Sequence, residues 1–474
     1  MFFEDGEYHS YDNAERNARK AFDLYEDGKL SQALVEIEAA LQINPANSSW
    51  HFDKALTLDA INKFDEAIAE YEAALELNPN DLETLNCLAV DCTRTGQYDK
   101  AVSTFEYIQQ LDPQFEPAYC NRIITYTEMG RHEMAEEMFY LAQQIDSECA
   151  LCYYNIGNSL FMRGMYSKAV GCWRKTAEFE PLHPQINYRI AQACWADGDT
   201  KGAHEHFLAE LRLDPGNIDV IFDFGLFLLE TGDVESAQEK FHRILELQPA
   251  FAAAIFYLGE LAFAKGDYKK AAELFEKVME TDPALPGPAY RLAQCALKKS
   301  DTQKAKSYLV CEMELAPSDA SVWISMASMF MTIASTASNN HYERFGVQLC
   351  SAPKRFGSSE IEYAACCLES ALQADFASAD AYYYLGLLAS IKGRFSDAAQ
   401  SFMHCLDIRP NDVPVLKSCA EAFFAMGRLE QAIEKVARAE ALAGADDRLK
   451  SIKRKIYFAH LKKRIVGFLR KLHL

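Results

Sequence analysis

Prolines recur along this chain every 34 residues: Pro45, Pro79 and Pro113, then Ser147 in a proline's place, then Pro181, Pro215, Pro249, Pro283 and Pro317. A period of this length kept over most of a chain marks stacked helical hairpins and narrows the fold to a solenoid. The stretch from Ala252 to Leu285 shows what one period contains. It reads as two short amphipathic helices joined by a tight turn. Gly259 lies inside the first helix. Gly266 ends that helix, where a residue without Cβ takes left-handed backbone cheaply. Ala271 lies inside the second helix. Pro283 stops it, because proline has no N–H to donate and disfavours helix in the residue before it.

The same marks divide the chain. Residues 1–13 are an acidic, aromatic lead-in. Residues 14–319 hold nine units, with Asn62 and Ser300 standing where other units have the turn glycine. Residues 320–378 form a tenth unit whose marked positions, Ala327 and Ala364, lie 37 apart where the other units show 12. That difference is a 25-residue insertion at about 336–360, polar and rich in Gly, Pro and Ser, expected as a loop. Residues 379–445 complete units eleven and twelve, and 446–474 form a basic helix. The second-helix alanine is present in all twelve units, and the residue twelve before it is Ala or Gly in eleven. Close helix approach explains both, since only a small side chain fits there.

The small residue, turn glycine, second-helix alanine and terminal proline together resemble the tetratricopeptide-repeat (TPR) family over about residues 14–444. The resemblance implies an all-α fold: a right-handed α-solenoid of about twelve helix hairpins closed by a C-terminal capping helix. It also implies a concave groove that binds proteins or peptides.

First-helix positions that the family's motif turns toward the groove can be read off one by one. Phe52, Tyr154, Tyr188, Phe222, Phe256, Tyr290 and Tyr383 share one place, with Asn158 and Gln192 a helix turn further on. Asn121, Asn155 and Arg189 share a third place. Rings and amides of this kind suit an extended peptide. The competing reading is that the rings pack helix against helix. The family's clamp for a C-terminal carboxylate is matched only by Asn158. Tyr154 stands in place of its Lys and Arg189 in place of its second Asn, while Asp219 and Asp223 replace its basic pair. The asparagine ladder of the sugar-transferase scaffolds is matched only by Asn121 and Asn155.

Formal net charge is −21, which argues against a nucleic-acid partner. The N-terminus has neither a basic start nor a long apolar run, and no stretch reaches the roughly 18–20 apolar residues of a membrane span. The expected location is therefore cytoplasmic, with the fourteen cysteines as reduced thiols. Cys149 and Cys152 form a CxxC, but zinc needs two more ligands and no second CxxC or HxxxH exists, so they read as small residues at a helix junction. His204 and His206 point to different sides of a helix. No phosphate loop and no nucleophile-and-base constellation is present. No metal, cofactor or enzymatic activity is expected.

Residues 446–474 hold ten Lys or Arg and two Asp, a net +8 that leaves −29 (−21 − 8) on the rest. Leu449, Ile452, Ile456, Leu461, Ile465, Phe468 and Leu472 form an apolar stripe. It reads as a cap over the last unit, or as a basic segment docking on anionic membrane or an acidic partner. The leading expectation is a non-catalytic scaffold or adaptor. The alternatives are a regulatory or substrate-presenting subunit of a separate enzyme, such as a glycosyltransferase or methyltransferase, and a membrane-proximal assembly factor. Self-association through an exposed solenoid end is open as well.

Overall fold

The computed structural model describes residues 5–337, 358–444 and 447–471, which hold 25 α-helices and, among the described residues, no strand. Contacts divide the chain into two compact units, Met1–Asp233 and Val234–Leu474. The first contains α1 (Asp5–Glu26), α2 (Leu30–Ile43), α3 (Ser48–Ala60), α4 (Phe64–Leu77), α5 (Leu82–Arg94), α6 (Tyr98–Leu111) and α7 (Glu116–Glu128). It continues with α8 (His132–Ile145), α9 (Ala150–Met162), α10 (Tyr166–Phe179), α11 (Ile186–Asp197), α12 (Thr200–Leu213) and α13 (Ile218–Glu230). The second contains α14 (Val234–Leu247), α15 (Ala252–Ala264), α16 (Tyr268–Thr281), α17 (Pro288–Lys298), α18 (Thr302–Glu314) and α19 (Ala320–Ala337). It ends with α20 (Ser358–Ala374), α21 (Ala379–Ile391), α22 (Phe395–Ile408), α23 (Val413–Ala425), α24 (Leu429–Ala443) and α25 (Asp447–Lys471). Within each unit, consecutive helices pair as hairpins and each hairpin packs on the next. The fold is an all-α solenoid.

The helix-ending turn is left-handed at the predicted place in every hairpin but the tenth, with φ between +59° and +88°. Asn62 (φ +61°) and Ser300 (φ +59°) adopt it although they carry a Cβ. In the tenth hairpin α19 runs through Ala334, where the turn would fall, and stays helical to Ala337. The insertion at about 336–360 is thus helical at both described ends, and 338–357 lies outside the described residues.

All twelve second-helix alanines, from Ala33 to Ala432, are fully buried. One helix turn further on, the second helix carries its largest apolar side chain, for example Tyr71, Trp173, Phe207, Phe275 and Phe402. That side chain is what demands the small first-helix residue. A Cβ on Gly157 would overlap the Trp173 ring, one on Gly259 would lie 2.7 Å from Phe275, and one on Gly386 would overlap Phe402.

A proline is not required to end a second helix. The helix before Ser147 ends at Ile145, in register with those that precede Pro45, Pro79 and Pro113. Glu180, Gln248 and Arg409 hold the place ahead of the proline in some hairpins, but at several exits it is an Asn or Asp. Its backbone N–H closes the helix, and its side chain accepts from the N–H two residues on: Asp146 from Glu148 (2.9 Å), Asp112 from Gln114 (2.9 Å), Asp214 from Gly216 (3.1 Å) and Asp282 from Ala284 (3.1 Å).

The last hairpin is covered by α25. Leu449, Ile452 and Ile456 are buried, whereas Tyr457 and Phe458 are exposed. Arg448 holds Glu421 of α23 through two bonds of 3.3 and 2.7 Å, and Lys453 holds Glu440 of α24 at 2.9 Å. The N-terminal part of the basic helix is therefore a cap. The side chains of Leu461, Ile465 and Phe468, and Leu472 altogether, lie outside the described residues.

Two measurements test this packing. Gly259→Ala gains about 0.5–1 kcal/mol of helix preference but loses about 1–3 kcal/mol to overlap with Phe275. Urea unfolding is expected to show net destabilisation, and Gly259→Ala with Phe275→Leu should cost less than the sum of the two singly. Leu449→Ala is expected to cost about 2–5 kcal/mol, read as faster hydrogen exchange in α24 with α3–α8 unchanged.

Candidate functional site

The aromatic row rests on the buried second-helix rings. Phe52 lies 5.9 Å from Tyr71, Tyr188 6.3 Å from Phe207, Phe256 5.6 Å from Phe275 and Tyr383 6.0 Å from Phe402, centroid to centroid. The Trp173 indole N–H donates to the Tyr154 carbonyl at 3.2 Å, while the Tyr154 ring lies 4.6 Å from that of His183. All seven rings of the row, Phe222 and Tyr290 included, are half-buried. Each is partly packed and partly exposed.

The polar positions sort into engaged and open. In the first unit Asn155 is buried and donates to the Cys120 carbonyl at 3.0 Å, so its amide ties α9 to α7. Asn121 donates to Asn86 of α5 at 3.0 Å. Asp223 of α13 accepts from the Tyr188 hydroxyl at 2.7 Å and the Gln192 amide at 3.0 Å, and burial with this carboxylate pushes the Tyr188 phenol up. Burial also raises the carboxyl of Asp53. Arg189 of α11 has a buried Nε with no hydrogen-bond partner. In the second unit Arg291 lies between the rings of Phe263 and Tyr290, 5.2 and 5.6 Å from their centroids. It makes a bidentate pair with Glu260 at 2.6 and 2.5 Å.

Two buried glutamates set where first helices begin. Neither α11 nor α17 has a capping side chain at its own start. In compensation Glu210 of α12 accepts from the Tyr188 N–H at 3.3 Å, and Glu312 of α18 accepts from the N–H groups of Gly287 and Tyr290 at 2.7 and 3.0 Å. In both carboxyls burial outweighs the backbone donors and raises the pKa above the ordinary 4.5. Both hold a row tyrosine in place, a role the sequence reading missed. Its signal was a glutamate at positions held by Ile244 and Val278 in the hairpins between.

The cysteine reading needs correction. Cys120 of α7 and Cys152 of α9 form a disulfide, so the cysteines are not all free. Spacing along the chain hid the pair, because first helices one period apart stack and bring distant residues together. Cys149, of the CxxC, occupies the capping place ahead of α9 and accepts from the Cys152 N–H at 3.3 Å. Its sulfur lies 3.4 Å from that of Cys120. Burial, with Glu116 adding to it, pushes the Cys149 thiol up to about 12. Glu116 Oε1 lies 2.6 Å from the Cys120 sulfur and 3.1 Å from that of Cys152. His204 stacks edge-on against Phe224, while His206 faces Asn187, so these histidines do not converge.

Family models of repeat type match most of the chain in pieces. The middle TPR-like domain of cilia and flagella-associated protein 70 matches residues 188–374, and the N-terminal TPR region of Psidin matches 15–163. Two general tetratricopeptide-repeat models match 154–218 and 379–412. The chain belongs to the tetratricopeptide-repeat proteins. A search of curated protein sequences finds no match. Among solved structures, a tetratricopeptide-repeat protein from Parabacteroides merdae ATCC 43184 is 18% identical over 50% of this chain and 94% of its own, with a TM-score of 0.42. YrrB, described as a TPR protein with an unusual peptide-binding site, is 22% identical over 38% of this chain and 92% of its own, with a TM-score of 0.33. Yeast Tom70 is 14% identical over 95% and 96%, with a TM-score of 0.37.

The raised pKa of Glu312 has a signed consequence. In the folded chain it holds its proton to a higher pH than when unfolded, so its contribution to stability falls as pH rises from about 4.5 through the folded value. Glu312→Gln removes that loss. Its melting temperature relative to the parent chain is expected to be higher at pH 7 than at pH 4, measured calorimetrically across that range.

Proposed function

We propose that this chain is a non-catalytic scaffold that holds an extended segment of a partner protein along its first-helix face, in the groove the repeat architecture implies. Proteins of this repeat family typically mediate protein–protein interactions, and the surface here has the matching chemistry. The half-buried rings of Phe52, Tyr188, Phe256 and Tyr383 are anchored from behind by core rings, so they offer apolar area without a large ordering cost on binding. One observation carries the reading. In the first unit, beside Tyr154 and Tyr188, the Arg189 Nε has no partner and the Asn158 amide makes no hydrogen bond among the described residues. A donor left unmade inside a protein costs about 1–3 kcal/mol. A peptide carbonyl or carboxylate laid across α9 and α11 would meet the half-buried Arg189 and Asn158 side chains while its own side chains contact the two tyrosines. The acidic remainder of the surface favours a segment with basic residues around that contact.

The test is a peptide selected by display on the full chain, then titrated calorimetrically against variants. Arg189→Ala and Asn158→Ala are each expected to weaken it about 10-fold, the equivalent of one lost hydrogen bond to a charged or amide donor, with melting temperature unchanged. Tyr188→Ala should weaken it further. Peptides that bind the three variants as tightly as the parent chain would move the site elsewhere.

A further inference from the structure

Four potential metal ligands meet at the junction of α7 and α9. Glu116 and Cys120 stand one turn apart on the same side of α7, and Cys149 and Cys152 stand at the start of α9. One ligand atom from each lies within 4.8 Å of every other. A tetrahedral zinc ion with sulfur at about 2.3 Å and oxygen at about 2.0 Å separates its ligands by roughly 3.5–3.8 Å. The 3.4 Å between the sulfurs of Cys120 and Cys149, and the 3.1 Å from the Cys152 sulfur to Glu116, already lie near that spacing. The large adjustment needed is between Cys120 and Cys152, which must part from bonding distance. Their Cα atoms are 5.1 Å apart, so the sulfurs can separate by side-chain rotation.

We propose that Glu116, Cys120, Cys149 and Cys152 bind a thiophilic divalent cation, zinc, when Cys120 and Cys152 are reduced. Three thiolates and one carboxylate give the bound ion the net charge of a four-cysteine zinc site. A closed, four-ligand set of this kind is structural and leaves no open position for catalysis. The surroundings are those of a held site. Cys120 and Cys152 are buried, Glu116 and Cys149 half-buried. Asn155, one turn beyond Cys152, fixes α9 to the Cys120 carbonyl at 3.0 Å. The Cys152 N–H points at the Cys149 sulfur at 3.3 Å, the charge-favouring contact that a helix start gives a thiolate.

Disulfide and ion exclude one another, because both use the sulfurs of Cys120 and Cys152. A dithiol reductant opens the bond by supplying two electrons and two protons and leaves as its own disulfide. The ion then displaces the protons of three thiols. This junction lies in the stretch of first helices that carries Tyr154 and Asn158, so the occupant would set how firmly α9 is held against α7.

The experiment uses the full chain kept reduced with a phosphine. Cobalt(II) is titrated as the probe, followed by zinc competition and elemental analysis after gel filtration. About one ion per chain and the visible bands of tetrahedral cobalt–thiolate are expected. Cys149→Ser keeps a good capping residue at that place, so folding is retained. It should weaken binding by more than the roughly 10–100-fold that loss of an outer partner costs. Glu116→Gln should weaken binding and shift the cobalt spectrum, whereas Cys366→Ser, exposed and remote in sequence, should do neither. Absence of uptake by the reduced chain, or uptake unchanged by both Cys149→Ser and Glu116→Gln, overturns the proposal.

Discussion

The contact on which this fold depends is a large second-helix side chain pressed against a first-helix residue with almost no side chain. Trp173 against Gly157, Phe275 against Gly259 and Phe402 against Gly386 are the extreme cases. Where the small residue is Ala191 or Ala55, the large side chain at the matching second-helix place is Phe207 or Tyr71, and all four are buried. An isolated hairpin of some 30 residues cannot bury enough apolar surface to offset its own ordering. The wedge lets the two helices approach closely while the ring itself stays buried. Its outer edge then carries the row of Phe52, Tyr188, Phe256 and Tyr383. The first-helix row and the buried second-helix rings thus form one packed layer.

The repeating part of this architecture was plain in the sequence. The second-helix alanines, the left-handed turns at Asn62 and Ser300, and the interruption after the tenth first helix all lie where a period of 34 puts them. Each is a local backbone or volume requirement, and such requirements select the residue type at a fixed position. The proline was over-read, because the helix ahead of Ser147 ends in register without one. At several exits, that of Asp146 among them, an Asp just before the proline place makes the turn.

What the sequence hid was side-chain partnership between neighbouring first helices. These bonds have a regular spacing of their own. Asp59 and Arg94, Asn86 and Asn121, Cys120 and Asn155, Asp223 and Tyr188, and Glu230 and Trp195 are each 35 apart. Asp223 with Gln192 and Glu260 with Arg291 are 31 apart. The offsets are one period plus one residue and one period minus three. They differ by four, so they lie on one helical row. The residue types vary from pair to pair, because polar satisfaction needs only a donor opposite an acceptor. A search for one residue type at one place therefore finds rings and alanines and passes over these pairs.

The cysteine cluster follows from the same geometry. Cys120 is 29 residues from Cys149 and 32 from Cys152, and Glu116 is 36 from Cys152. Motif spacing along the chain assigns only two ligands to the CxxC, and on that count a metal is excluded. Counted across one period, the neighbouring helix supplies the other two. In a stacked-hairpin protein the unit of chemistry is a pair of adjacent first helices. Arg189 has its Nε unsatisfied because the pairing that engages Tyr188 and Gln192 with Asp223 does not extend to it.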